Sequence, residues 1–311
     1  MSAAADPIKP TACHPQALEG DTDCDFVIAI DTLVDGVHFP AGTPPADVGF
    51  KALAVNLSDL AAMGADPRVA RVSVTHPRGG EDAARSWLGA FEEGFGALAK
   101  RFSVNPAPTV LSSGSLSVTV EAIGSVPHGM ALRRNGAAPG DTILVTGTVG
   151  DAGLALASAE NGDATVTPDS DAWLQARLAR PEPRVEAGIA LRGLATAAID
   201  VSDGLAADLG HILSASGVGA RLTVDELPLS AALLQRLPPE RAWELALSAG
   251  DDYELCFTVG PQSIQEVESR LRDLACDVTV IGTITSNTGL ECLRADGSPF
   301  RPTTPGYRHF Q

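Results

Sequence analysis

The stretch Ala198-Ile-Asp-Val-Ser-Asp-Gly-Leu205 joins an apolar strand to an amphipathic helix through a short polar turn. The strand is predicted over residues 197–201, and the helix that follows carries a stripe of leucine and isoleucine. Ser and Asp are favoured at a helix N-cap, which accounts for one polar residue of the turn but not for three. Asp200, Ser202 and Asp203 therefore indicate a ligand site at a strand end, where open α/β sheets collect ligands. The start of the helix adds free N–H groups suited to phosphate.

Strand and helix patterns alternate on both sides of this turn. The run Asp25-Phe-Val-Ile-Ala-Ile-Asp31 is apolar and ends in an acid, which predicts a buried strand with the Asp31 carboxylate at its tip. Leucines at helical spacing after Thr43 predict a helix that stops before Gly64. We predict further helices near 81–101, 150–159, 185–194 and 262–274, and strands near 109–111, 116–123, 142–147, 220–224, 255–259, 278–284 and 290–293.

This interleaving predicts an α/β or α+β fold in two halves. A length of 311 residues also suits two domains, on a prior of about 150 residues for each. The turn Gly136-Ala-Ala-Pro-Gly-Asp141 lies between the two halves. We predict an N-terminal domain over residues 1–138 and a C-terminal domain over residues 139–311.

The protein is strongly acidic, with a formal net charge of -17 at pH 7. Its far field repels nucleic acid and anionic membranes, so neither is an expected partner. A phosphate-bearing ligand must be received through bound cations or a few local basic groups. The charge therefore favours a metal-dependent site.

Cysteine usage indicates the compartment. The five cysteines form no CxxC pair and are odd in number, which predicts neither a disulfide framework nor a cysteine zinc site. We therefore expect a reducing, cytoplasmic environment. The first ten residues lack the regions of a secretory signal, and no apolar run approaches the roughly 18 residues of a membrane span.

Acids are unusually dense between Glu19 and Asp66, where nine acids accompany one base, Lys51. A solvated acidic surface explains most of them. Asp31 and Asp59 are different, because Asp31 closes an apolar strand and Asp59 lies among apolar residues of a helix, three positions after an asparagine. Two carboxylates on rigid elements suit Mg²⁺, which takes oxygen ligands and bridges to phosphates.

Three other groups are weaker candidates. Residues 248–255 place a glycine turn and three acids before an apolar strand, which is also an ordinary loop composition. His38 stands beside a turn, where a lone histidine is more often structural than functional. Arg133 and Arg134 are a concentrated positive spot in an acidic chain, which suits either a phosphate contact or a surface pair.

Five blocks, in order, resemble those of the thiamine-monophosphate kinases, a family related to aminoimidazole ribonucleotide synthetase and selenophosphate synthetase. The resemblance extends from about Asp31 to Phe310. The blocks are Asp31-Thr-Leu-Val-Asp-Gly-Val-His-Phe39, Lys51-Ala-Leu-Ala-Val-Asn-Leu-Ser-Asp-Leu-Ala-Ala-Met-Gly-Ala-Asp-Pro67, Ile199-Asp-Val-Ser-Asp-Gly-Leu205, Gly250-Asp-Asp-Tyr-Glu-Leu-Cys-Phe257 and Gly306-Tyr-Arg-His-Phe310.

The resemblance implies a two-domain aminoimidazole ribonucleotide synthetase-like fold that dimerises through its N-terminal sheets. It also implies ATP-dependent phosphorylation of thiamine monophosphate to thiamine diphosphate by direct, Mg²⁺-assisted transfer. Such transfer needs positioning and charge neutralisation more than a protein nucleophile, so none is expected. The residues carried over by position are Asp31, Asp59, Asp200 and Asp203 as Mg²⁺ ligands, Arg134 and Ser202 as ATP contacts, and His38, Asp251 and Tyr307 as the lining of the substrate pocket.

The sequence departs from the family pattern at three places. A Gly-Asp-Asp block is usual upstream of the first strand, where this chain has Glu19-Gly-Asp-Thr-Asp-Cys-Asp25. A Gly-Gly-Asp-Thr block is usual where this chain reads Val110-Leu-Ser-Ser-Gly-Ser-Leu116, and Ile30 replaces a hydroxyl residue. These departures favour an alternative hypothesis, a catalytically impaired or non-catalytic paralogue that binds nucleotide or thiamine phosphate.

A third hypothesis is another ATP-dependent enzyme of the same superfamily. Selenophosphate synthesis requires a reactive N-terminal Cys or selenocysteine in a glycine-rich segment. Cys13 and Cys24 lack that setting.

Overall fold

The computed structural model describes residues 23–77, 81–161, 168–303 and 306, which form two sheets and the helices packed on them. The strands are β1 (Cys24–Val34), β2 (Asp66–His76), β3 (Asn105–Pro106), β4 (Val110–Ser113), β5 (Ser117–Pro127), β6 (Thr142–Thr146), β7 (Ala195–Asp200), β8 (Gly219–Thr223), β9 (Leu255–Val259), β10 (Val278–Thr285), β11 (Gly289–Leu293) and β12 (Pro299–Phe300). The helices are α1 (Pro45–Ala62), α2 (Glu81–Arg101), α3 (Asp151–Asn161), α4 (Pro168–Ala179), α5 (Val185–Ala190), α6 (Leu205–Ser216), α7 (Ala231–Arg236), α8 (Pro239–Ser248) and α9 (Ile264–Asp273). This mixed α/β architecture confirms the predicted fold class.

The first sheet has the strand order β1-β5-β2-β3, and β4 also pairs with β2. β5 runs antiparallel to both β1 and β2, whereas β3 and β4 run parallel to β2. Because successive side chains of a strand point to opposite faces, only one face of β1 reaches the core. That face carries Ala29 and Leu33, which are buried against α1.

The prediction that β1 is a buried strand is wrong. Phe26, Ile28 and Ile30 point away from the core and are exposed, and Ile28 lies opposite Ile123 of β5. The strand also continues beyond Asp31 to Val34, so that Asp31 is an internal residue of an edge strand. A continuous apolar run does not by itself distinguish a strand buried on both faces from one with an apolar face left uncovered.

Helix α1 begins at a pair of prolines, which are favoured in the first turn because their missing N–H groups need no partner there. The predicted leucine stripe is confirmed, since Leu53, Leu57 and Leu60 are fully buried. α1 crosses α2 closely at Gly49 and Gly94. A Cβ atom at either glycine would collide with backbone of the facing helix, so the crossing requires glycine there.

The second sheet has the strand order β12-β11-β8-β10-β6-β9-β7. Its pairs are antiparallel except for β8 and β11, which run parallel. α6 packs on this sheet with Leu205, Leu209 and Ile212 fully buried, as its stripe predicts, and ends at Gly217 in the left-handed conformation. α1 also contacts β7 and α5, so it lies where the two halves meet.

Several predicted elements differ from the observed ones. α5 ends at Ala190 rather than near 194, before a turn in which Gly193 has a positive φ of 74°. The patterns did not predict β2, α4, α7 or α8. Each sheet is built from one side of residue 138, and the division into domains 1–138 and 139–311 stays a prediction. Within the described residues, no helix is long and apolar enough to cross a membrane.

Candidate functional site

A cavity of about 440 Å³ lies between the two halves and receives side chains from both. From the first half it is lined by the end of β1, by the turn that follows it and by α1. From the second half it is lined by α3, by the turn after β7 and by the loop before β9. The lining residues are Ile30, Asp31, Thr32, Leu33, Val37, His38, Val55, Asp59, Leu156, Asp200, Ser202, Asp203, Ala249, Asp251 and Tyr253.

Three acids predicted as metal ligands come together at the floor of this cavity. Asp31 is on β1, Asp59 is on α1 and Asp200 is the last residue of β7. Burial raises the pKa of Asp59 to about 8, and repulsion from Asp200 and Asp31 adds to the rise. Burial also raises the pKa of Asp200 to about 6, against a hydrogen bond from Ser58 Oγ at 2.8 Å. The cluster is therefore electrostatically unfavourable unless a proton or a cation is present.

Asp203 and Ser202 lie in the turn between β7 and α6, beside this cluster. The interpretation of either side chain as an N-cap is wrong, because Gly204 occupies the cap position and no side chain caps the helix. Instead, the backbone N–H groups of Ser202 and Asp203 both donate to Asp208 Oδ2, at 3.0 Å each. Asp208 thus holds the turn from behind while the Ser202 and Asp203 side chains line the cavity.

Asp208 is a site residue that sequence reasoning missed. It is almost fully buried, and burial together with repulsion from Asp200 raises its pKa to about 7. A signal was available, because Asp208 is an acid in the first turn of a helix whose neighbouring stripe is entirely apolar.

Asp251 also lines the cavity, in the turn Gly250–Tyr253 that precedes β9 and packs against the β7–α6 turn. Its Oδ2 accepts a hydrogen bond from the buried Lys51 Nζ of α1 at 2.9 Å, and its Oδ1 accepts one from Tyr253 Oη at 2.9 Å. Asp251 and Tyr253 both have positive φ, of 62° and 52°, which is uncommon for residues with side chains. Sequence reasoning did not assign roles to Lys51 and Tyr253.

Two further predicted residues border the cluster. His38 lines the cavity, and its Nδ1 accepts a hydrogen bond from the Val34 backbone N–H at 3.0 Å. This bond fixes the ring in the turn after β1, next to Asp31. Arg134 is exposed, and its charge lowers the pKa values of Asp59 and Asp200, although less than burial raises them. Arg134 is therefore close enough to act on the acids electrostatically.

Tyr307 lies outside the described residues, and so does most of its block. Gly306 is described, and it packs so closely against Asp203 and Ala207 that a side chain there would collide with them. The last described residue of the chain therefore lies against the turn that carries Asp203.

The segment Val110–Leu116 departs from the resembled family and borders the same region. β4 takes up its first part, and the Leu116 carbonyl accepts a hydrogen bond from the Asp35 N–H at 3.2 Å. Ser112, Ser113 and Gly114 are exposed. The segment thus supplies hydroxyl groups and no carboxylate beside the turn that carries His38.

The donor set of the cluster suits a hard cation. Carboxylate oxygens are the ligands that Mg²⁺ prefers, and a divalent charge would relieve the repulsion that raises the pKa values of Asp59 and Asp200. Among the described residues, no group of three or more such side chains is already converged in a geometry that holds a metal ion. The acids are thus neighbours rather than a preassembled coordination shell.

Two family models match most of the chain. The family described as AIR synthase related protein, N-terminal domain, matches residues 14–126, and the one described as AIR synthase related protein, C-terminal domain, matches residues 138–293. The thiamine-monophosphate kinase of Escherichia coli (strain K12) is 44% identical over 285 residues, which cover 92% of this chain and 86% of the relative. That of Haemophilus influenzae (strain ATCC 51907 / DSM 11121 / KW20 / Rd) is 40% identical over 289 residues, which cover 92% and 87%.

Solved structures agree with these relatives. The thiamine-monophosphate kinase from Stenotrophomonas maltophilia K279a is 43% identical and superposes with a TM-score of 0.84, covering 91% of this chain and 89% of that one. A structure described as AaThiL complexed with AMPPCP and TMP is 28% identical, with a TM-score of 0.80 and coverage of 97% and 90%.

Proposed function

Because the chain belongs to the thiamine-monophosphate kinase family, we propose that it transfers a phosphoryl group from ATP to thiamine monophosphate, forming thiamine diphosphate. The observation that carries the proposal is the cavity between the two halves, which is lined by acids from β1, α1, the β7–α6 turn and the loop before β9. A relative of the same fold is described with an ATP analogue and TMP together.

We propose that the ATP phosphates are received near the β7–α6 turn. Ser202 offers a hydroxyl group there, and the N–H groups in the first turn of α6 favour a negatively charged ligand. Arg134 supplies positive charge on the same side as Asp59 and Asp200. These groups orient the polyphosphate, and they leave the chemistry to positioning and charge neutralisation.

Mg²⁺ is part of the proposal, with Asp31, Asp59, Asp200 and Asp203 as its ligands. The first three share one acidic cluster, and Asp203 follows Asp200 by three residues in the turn that Asp208 holds. When bound, Mg²⁺ neutralises phosphate charge in transfer reactions of this kind. A protein of net charge -17 has few other means of holding a polyphosphate next to four carboxylates.

Thiamine monophosphate would bind on the wall formed by His38 and Asp251, with Tyr307 assigned by resemblance alone. His38 is fixed by its bond to Val34, and Asp251 by its bonds to Lys51 and Tyr253. A rigid wall of this kind orients the acceptor phosphate toward the ATP side. Such alignment supplies much of the rate enhancement in phosphoryl transfer.

We further propose a homodimer through the outer face of the first sheet. Phe26, Ile28 and Ile30 form an uncovered apolar row on an edge strand, next to Ile123. Exposed apolar rows on a sheet favour association with another chain. A cytoplasmic location stays a prediction that rests on cysteine usage.

The test is the formation of thiamine diphosphate from the monophosphate with ATP and Mg²⁺. The product, resolved by chromatography, should increase with enzyme concentration and disappear when EDTA is added. No product at high enzyme concentration would overturn the proposal.

The comparisons do not favour the alternative of a non-catalytic paralogue, because this chain matches thiamine-monophosphate kinases over most of their length. It makes a separate experimental prediction. Calorimetry would detect nucleotide or thiamine monophosphate binding in a protein that gives no turnover.

A further inference from the structure

The link between α4 and α5 reads Arg180-Pro-Glu-Pro-Arg184 and connects three parts of the molecule. Its two prolines are buried, and its three charged residues each contact a different element. Arg180 Nε donates to Asp47 of α1 at 2.5 Å, and Glu182 accepts two hydrogen bonds from Arg101 of α2. Arg184 contacts Glu254, which immediately precedes β9.

The Arg184–Glu254 ion pair is more buried than the Arg180–Asp47 and Arg101–Glu182 ion pairs. Glu254 is fully buried, whereas Arg180 and Arg101 are about half exposed at the surface. Arg184 Nε and Nη2 donate to the two oxygens of Glu254 at 2.6 and 2.7 Å, a two-point contact of the kind that is both strong and directional. Exposed ion pairs contribute little by comparison.

Glu254 also accepts hydrogen bonds from two other elements. Thr146 Oγ1 of β6 donates to it at 2.7 Å, and Arg177 Nη2 of α4 donates to it at 2.9 Å. The same Arg177 nitrogen reaches the Asp252 carbonyl at 3.1 Å. A buried carboxylate with this many partners holds its own backbone in one position.

The backbone around Glu254 is the turn that presents Asp251. Residues alternate there, because Asp251 and Tyr253 face the cavity while Asp252 and Glu254 are buried behind it. The Asp251 N–H donates to the Ser202 carbonyl at 2.9 Å, and the Tyr253 N–H donates to the Val201 carbonyl at 2.8 Å. The positive φ values at Asp251 and Tyr253 persist only if surrounding contacts hold them.

We propose that Arg184, acting through Glu254, is a positioning residue that holds the Gly250–Tyr253 turn so that Asp251 faces the acceptor substrate. Arg184 is not among the residues that line the cavity. The inference rests on the proposed function for its kinetic consequence, whereas its structural consequence is independent of any activity.

The experiment compares Arg184→Met with the matched control Arg101→Met in the full chain. Arg101 of α2 contacts the same link at Glu182 but makes no hydrogen bond to Glu254. Hydrogen exchange at the Asp251 and Tyr253 amides should become about tenfold faster or more in Arg184→Met, and stay within about twofold of wild type in Arg101→Met. The KM for thiamine monophosphate should rise about tenfold or more only in Arg184→Met, at a temperature where both variants are folded.

The outcomes separate the two proposals. The positioning role is overturned if these amides exchange in Arg184→Met at the wild-type rate. It is also overturned if Arg101→Met accelerates their exchange as much as Arg184→Met does. If wild type itself forms no thiamine diphosphate, the proposed function fails and the exchange result still decides the inference. If Arg184→Met does not fold, Arg184→Gln replaces it and reduces the two hydrogen bonds to Glu254 to one at most. The turn should then be held less firmly, and exchange no faster than in Arg101→Met would overturn the role.

Discussion

Lys51 of α1 and Asp251 of the second half form an ion pair of 2.9 Å between Nζ and Oδ2, at the wall of the cavity. The lysine side chain is 3% exposed and the aspartate 29%. The single base in the acid-rich N-terminal region is therefore committed to orienting an acid that lies 200 residues away in the sequence.

Replacing Lys51 with Met should loosen Asp251 and weaken thiamine monophosphate binding. Removing one partner of a largely buried ion pair leaves the other without compensation, and we expect a loss of about 1–3 kcal/mol in the free energy of unfolding. Urea denaturation measures this loss, and steady-state kinetics should give a KM for thiamine monophosphate raised about tenfold. Arg221→Met is the control, because Arg221 pairs with Glu291 at an exposed part of the second sheet, away from the cavity and from the proposed dimer face. An equal loss of stability in the control would contradict the prediction.

Replacing Asp203 with Asn should abolish Mg²⁺-dependent activity with little effect on stability. The side chain caps no helix, and the Asp203 backbone N–H keeps its bond to Asp208 in the variant. We expect kcat to fall about 100-fold or more while the melting temperature changes by less than about 2 °C. A melting temperature that falls in step with activity would instead assign Asp203 a structural role.

The sequence contained the main parts of the site, but not the contacts that connect them. Asp31, Asp59 and Asp200 are predicted as site residues because each is an acid next to apolar residues on a regular element. The structure brings the three acids together, and their role as metal ligands stays a prediction. The contacts of Lys51 and Arg184 were not predicted, because their partners lie 200 and 70 residues away and no local pattern encodes such pairs.

The same limit applies to the fold. The strongly periodic helices α1 and α6 were predicted, and the predicted limits of α1 are nearly correct. α4 was missed, and its amphipathic pattern is weak, with Leu174 and Leu178 buried among polar residues. The outward face of β1 was mistaken for core, because an apolar face gives the same pattern whether a core or another chain covers it.

Replacing Ile28 with Asp should convert a dimer into a folded monomer. Ile28 is 61% exposed at the centre of the apolar row on β1, so a carboxylate there costs little within one chain but would be buried unpaired in a dimer. Light scattering gives the mass, and circular dichroism gives the fold. Val280→Asp, at an exposed apolar residue of the second sheet, is the control and should leave the mass unchanged. A monomeric wild type would contradict the proposed dimer.

Without metal, the stability of the folded protein should fall as the pH rises. Burial and neighbouring carboxylates raise the pKa of Asp59 to about 8, whereas in the unfolded chain it returns to its ordinary value of 3.8. The folded state then binds more protons than the unfolded state between these two values, so the free energy of unfolding falls as the pH rises from about 4 to about 8. Asp59→Asn removes this titration. In EDTA, the variant should melt about 3 °C or more above wild type at pH 8 and at the same temperature as wild type near pH 4.5.

Mg²⁺ should stabilise wild type at pH 8 more than it stabilises the variant, because the cation replaces the proton in neutralising the cluster. Differential scanning calorimetry at the two pH values measures both effects, and a constant difference between wild type and Asp59→Asn across the range would show that the acids do not interact as the structure indicates.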